Sequence, residues 1–134
     1  MMKIIYFIIL FAFTSLASGE ERVNLNICYS KTVQDEAYDC IYNISKKLKG
    51  EYDSSFRKLV IKIKNNKNNM MNYRDLNNGL LKSKKEWDKW LELECSTEAD
   101  VFQKGTGFHE SISDECKIKN YVSRINYYNN FELK

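Results

Sequence analysis

From residue 31 onward the chain repeats apolar side chains at intervals of three and four. Ala37, Ile41, Ile44, Leu48, Tyr52, Phe56, Leu59 and Ile63 follow that spacing, which puts them on one stripe of a helix. Thr32, with Asp35 three residues later, reads as a capping box at its start. The pattern predicts one amphipathic helix of about 30 residues. Gly50, near its middle, costs roughly 1 kcal/mol relative to alanine and allows a bend. Leu59 to Lys64 also alternates as a strand would, but with no partner strand in view the helical period is preferred.

The asparagine-rich stretch 65–72 reads as a loop, and Asn72 with Asp75 opens a second helix. Its inward stripe is Leu76, Leu80, Trp87, Leu91, Cys95, Ala99 and Phe102, interrupted only at Lys84. Gly105 fits a C-terminal cap, and a turn continues to Glu110. Ser111 with Asp114 starts a third helix, with Ile112, Cys116, Val122, Ile125 and Tyr128 inward. Upstream, Glu20 to Ser30 shows no helical period and reads as an extended arm. The chain has no proline and no convincing strand pair. The expected fold is therefore all-α: a small antiparallel three-helix bundle with an extended N-terminal arm and two disulfides. Trp87, Trp90, Leu91 and Cys95 form its expected centre. Counting outward from the 65–72 loop sets Trp87 opposite Gly50, where a missing side chain leaves room for an indole.

The first 19 residues have a different character. Lys3 supplies a positive start, Ile4 to Phe13 an apolar run, and Ala17-Ser18-Gly19 a small-residue cleavage site. This is the layout of a cleaved secretory signal, and the run is too short for a membrane span, which takes about 20 residues. Cleavage is expected after Gly19, with Ala17 as the alternative. Residues 20–134 are then a single periplasmic or secreted domain. Four cysteines in an exported chain suggest two disulfides. Cys95 and Cys116 are equidistant from the start of the proposed turn at Gly105, so they would lie level in a helical hairpin. That favours Cys95–Cys116 and leaves Cys28–Cys40 to clip the arm, out of three possible pairings.

Composition excludes more than it indicates. Removing Lys3 takes the formal charge from +3 to about +2, too balanced to demand an anionic partner. One histidine and no close cysteine pair disfavour a zinc site, and no cofactor motif is present. His109 has no nucleophile motif beside it and reads as a solvated loop residue. Asp88, Glu92 and Glu94 alternate with Lys89 on a charged helix face. Arg57, Lys58, Lys62, Lys64 and Lys67 form a basic run, which in an exported chain reads as a solvated face and not as a nucleic-acid site. Asn43-Ile44-Ser45 matches a glycosylation sequon inside a helix and is taken as chance.

Trp87-x-x-Trp90-x-Glu92-x-Glu94-Cys95 resembles the W-x-x-Y-x-D-x-E-C segment of the LprI-like lysozyme inhibitor family. The resemblance extends through Gly105-Thr106-Gly107, Cys116 and Arg124-Ile125, and back to Cys28, Thr32 and Cys40, covering essentially the whole exported chain. Two positions depart from the family: Leu91 stands where it usually has Arg, and Lys82-Ser83-Lys84-Lys85 stands where it favours a Gln before the Trp. The resemblance implies a non-enzymatic binding protein whose partner is a lysozyme-type peptidoglycan hydrolase. Lys104, Thr106, Phe108 and His109 in the turn are the candidate contact residues, with Lys104 or His109 facing catalytic carboxylates and Phe108 entering a sugar subsite. Trp87, Trp90 and Arg124 are the expected structural core. Long-range attraction to a basic lysozyme is not expected of a slightly basic chain. The alternative class is an immunity or adaptor protein that binds a secreted toxin or an envelope partner.

Overall fold

The computed structural model describes residues 23–133, so the expected signal at 1–19 lies outside the described residues. The elements are α1 (Asn26–Tyr29), α2 (Gln34–Asn65), a 3-10 turn (Lys67–Asn69), α3 (Tyr73–Ala99) and α4 (Gly107–Asn129). Among the described residues there is no strand. The fold is an all-α helical bundle with disulfides Cys28–Cys40 and Cys95–Cys116, the second the pair that hairpin symmetry favours and the first the pair it leaves. No helix of the described residues is long and apolar enough to cross a membrane.

The long periodic segment is a single 32-residue helix, α2, and it runs through Leu59–Lys64. Ile41, Leu48, Tyr52, Phe56, Leu59 and Ile63 from its stripe are buried. Its start is later than the sequence suggests. Val33, in extended backbone, takes the capping position and no side chain caps the helix. Thr32 therefore lies outside it. Asp35 and Glu36 act instead as first-turn acids, favoured by the helix dipole. The segment before it is not an extended arm: α1 makes one helical turn at Cys28, which is fully buried by its bond to Cys40 on α2.

α4 is the hub. Its largest interface is with α2 and its second with α3, so its buried arc is wider than one stripe. It buries Cys116, Ile118, Tyr121 and Tyr128, while Ile112, Val122 and Ile125 are only half-buried.

The centre of the core is Tyr52, not the tryptophan pair. Tyr52 is fully buried. Its ring lies 5.0 Å from Trp87, 5.3 Å from Tyr121 and 5.7 Å from Tyr128 between centroids, within the range of favourable aromatic pairing. Trp87 does face α2 within a turn of Gly50, but Gly50 borders open space and makes no room for it. Trp87 is half-buried and Trp90 is 45% exposed, which corrects its placement in the core. The reason is helical arithmetic: at 3.6 residues per turn, Trp90 is rotated about 100° from Leu91, whereas Lys84 lies on the Leu80–Leu91 line.

Lys84 therefore completes the stripe. Its side chain is only 18% exposed, with Nζ 3.1 Å from Asp53 and 2.8 Å from Asp88 and 4.5 Å from the Tyr52 ring centre. Burial alone would lower its pKa, but the bonds it donates to Asp88 and Asp53 outweigh that and hold it above the ordinary lysine value. The Tyr52 hydroxyl donates to Asp88 at 2.6 Å, so Asp88 belongs to a partly buried network and not to a freely solvated face. Arg124 lies over Trp87, Tyr127 and Tyr128 at 5.4, 4.6 and 5.1 Å.

Candidate partner-binding site

The α3–α4 connection is built differently from the turn read in the sequence. α3 ends at Ala99 with Asp100 as its C-cap, so Phe102 lies beyond the helix. α4 starts at Gly107, a full turn before Ser111, because Thr106 caps it: the His109 amide donates to Thr106 Oγ1 at 3.2 Å. Threonine is a preferred N-cap, a signal that the flanking glycines obscured. Gly105 has φ +77°, the left-handed region open mainly to glycine, and it reverses the chain here. Gly107 allows a close approach, since a Cβ there would meet the Tyr38 ring at 2.5 Å.

The four candidate residues separate by role. Thr106 is a cap. His109 is 8% exposed, not a solvated loop residue, and its ring nitrogens lie 3.2 Å from Asp100 and 3.3 Å from Glu110. Lys104 lies 3.1 Å from Asp100 and is well exposed. Hydrogen bonds from Lys104 and then His109 hold the Asp100 carboxyl below its ordinary value. Lys104 and His109 thus share the Asp100 carboxylate, but only His109 is inaccessible. Phe108 is 42% exposed and meets Phe102, 38% exposed, edge-on at 4.4 Å; Tyr38 of α2 lies 6.5 Å away. Val101 beside them is 80% exposed. The sequence placed Phe102 in the core, and with it missed Val101 and Tyr38 as members of this apolar tip. Cys95–Cys116 ties α3 to α4 behind it.

The charge around the tip is one-sided. Asp35, Glu36 and Asp39 start α2; Glu92, Glu94, Glu98 and Asp100 end α3; Glu110, Asp114 and Glu115 start α4. Across 34–45 and 90–116, Lys104 is the sole Lys or Arg, and Lys117 just beyond offsets Glu92 at 2.8 Å, so the balance at this end stays acidic. Contacts hold these segments at one end: Tyr29 of α1 donates to Glu115, and Tyr38 stands against Gly107. Burial pushes the Asp114 carboxyl up despite the Ser45 hydroxyl nearby, and burial with the Glu115 bond pushes the Tyr29 phenol up to about 12. Among the described residues, no cluster of three or more His, Cys, Asp or Glu side chains could hold a metal.

Fold and surface together describe a disulfide-bonded helical protein with an apolar tip set in an acidic end. No family model, curated protein or solved structure matches this chain.

Proposed function

We propose that the protein is an exported inhibitor of a lysozyme-type peptidoglycan hydrolase, that α2, α3 and α4 form an antiparallel three-helix bundle of the LprI-like kind, and that the α3–α4 end is the contact surface. The observation that carries this reading is the exposed Phe102–Phe108 pair, with Val101, inside an acidic surround. Apolar groups displace water from a sugar-binding cleft, and exposed aromatic anchors concentrate binding energy. Common lysozymes are basic, so the acidic end draws the enzyme in and orients it. The disulfide behind the tip lowers the ordering cost of binding. Lys104 acts as an exchangeable cation, since an exposed ion pair such as its bond to Asp100 is worth about 0–1 kcal/mol. His109 supports the tip from beneath and makes no enzyme contact.

The test is inhibition of a panel of basic lysozymes by the purified exported chain. Micromolar inhibition is expected, weakening as salt rises. Phe102→Ser with Phe108→Ser should remove it, with the thermal midpoint within a few degrees of the parent. No inhibition at low salt would end the proposal, and a double variant that inhibits as well as the parent would move the contact elsewhere.

A further inference from the structure

We infer that the end of the molecule at the α2–α3 connection binds the surface of an anionic phospholipid bilayer. Residues 57–74 contain Arg57, Lys58, Lys62, Lys64, Lys67 and Arg74 and no Asp or Glu. All six are exposed, and among the described residues none forms an ion pair. Elsewhere the exposed lysines Lys47, Lys89 and Lys104 do find carboxylates. An ordinary solvated helix face mixes its charges; this one leaves its cations without a carboxylate, Lys62 donating only to the Phe131 carbonyl at 2.8 Å, and the nearest acids in sequence are Asp53 and Asp75.

A second observation selects a bilayer over a soluble polyanion. Met71, at the connection between the 3-10 turn and α3, is fully exposed at 101%, and Ile61 on the last turns of α2 is 57% exposed. An apolar side chain collared by cations gains nothing from a polyanion. At a membrane, the cations meet phosphates while the unbranched methionine reaches the acyl boundary. The asparagines around Met71 are uncharged, and Glu132, which lines the same groove, is outweighed by the six cations. α3, 27 residues long, sets this end roughly 40 Å from the α3–α4 tip, so membrane attachment leaves the tip free.

Sedimentation of the purified exported chain with vesicles tests this. Binding is expected to vesicles containing phosphatidylglycerol at low salt, and far less to pure phosphatidylcholine. Lys58→Gln, Lys64→Gln and Lys67→Gln together should weaken it on the order of a hundredfold, at about 1 kcal/mol per charge. Met71→Ser should weaken it roughly tenfold. Circular dichroism checks that both variants fold, and Phe108→Ser should bind vesicles like the parent. Equal binding to both lipids, or none to the anionic vesicles, overturns the inference. So does an unchanged Met71→Ser with equally tight binding to polyphosphate, which would make the ligand a soluble polyanion.

Discussion

Tyr52→Phe isolates the bond on which the core is centred. The substitution removes one hydroxyl and keeps the ring, so the packing against Trp87, Tyr121 and Tyr128 and the Lys84 ammonium remains. Burial, and then the bond to Asp88, push the Tyr52 phenol far above its ordinary pKa, so it stays a donor wherever the fold survives. A hydrogen bond to a charged group contributes about 1.5–3 kcal/mol. The Asp88 side chain is 39% exposed, so water can replace the lost donor, and the low end applies: about 1.5 kcal/mol. For a domain of this size that is a fall of roughly 6 °C in Tm. Guanidinium unfolding of the disulfide-intact protein should be run on the parent, Tyr52→Phe, Asp88→Asn and the double variant. The two changes share one bond, so the double variant should fall short of additivity by about 1 kcal/mol. A Tyr52→Phe loss under about 0.5 kcal/mol, or full additivity, would refute the network as the organiser of this core.

Trp87→Ala should cost about 2–3 kcal/mol, below a fully buried tryptophan's 3–5, and Trp90→Ala under about 1; equal losses in denaturant would contradict the exposure difference. Replacing Cys95 and Cys116 with serine opens a loop with a sequence separation of 21 and should cost about 3 kcal/mol, read from the unfolding midpoint. The Asp53 carboxyl is pushed up by burial but held below its ordinary 3.8 by Lys49 and Lys84. Its folded value is lowered, so its stabilisation is complete above 3.8 and is lost as pH falls through the lower folded value. Asp53→Asn should therefore lower stability at neutral pH and flatten the loss on acidification. An acid limb as steep as the parent's would count against the ion-pair assignment.

What the sequence made legible follows from how periodicity works. The α2 stripe needed no long-range information, because eight apolar positions at helical spacing outvote one glycine and a strand-like hexamer. The cysteine pairing was legible because equal distances from one turn fix equal heights. The failures are local competitions. Glycines on either side of Thr106 looked like a turn and hid a cap. Lys84 looked like a break, since nothing in sequence announces that Asp53, 31 positions earlier, will neutralise it. Trp90 looked like core because it stands three residues after Trp87, although its 100° offset from Leu91 could have been counted. The apolar tip was half seen: Phe108 was singled out, but Phe102 was assigned to a helix that stops at Ala99.

Charge shows the same lesson at the scale of the whole molecule. A formal charge of +3 argues against electrostatic attraction of a basic enzyme only if the charge is spread evenly. It is not: the acidic segments flank the α3–α4 connection and the unmatched cations flank the α2–α3 connection. A helix of 27 residues stands between them, roughly 40 Å, whereas charges are screened beyond about 8 Å at physiological salt. Each end therefore presents its own sign to a partner, and the net value describes neither. Counting charge per turn, not per chain, would have exposed the separation from sequence. It also means that salt should weaken enzyme inhibition and vesicle binding alike, while Phe108→Ser touches only the first and Met71→Ser only the second.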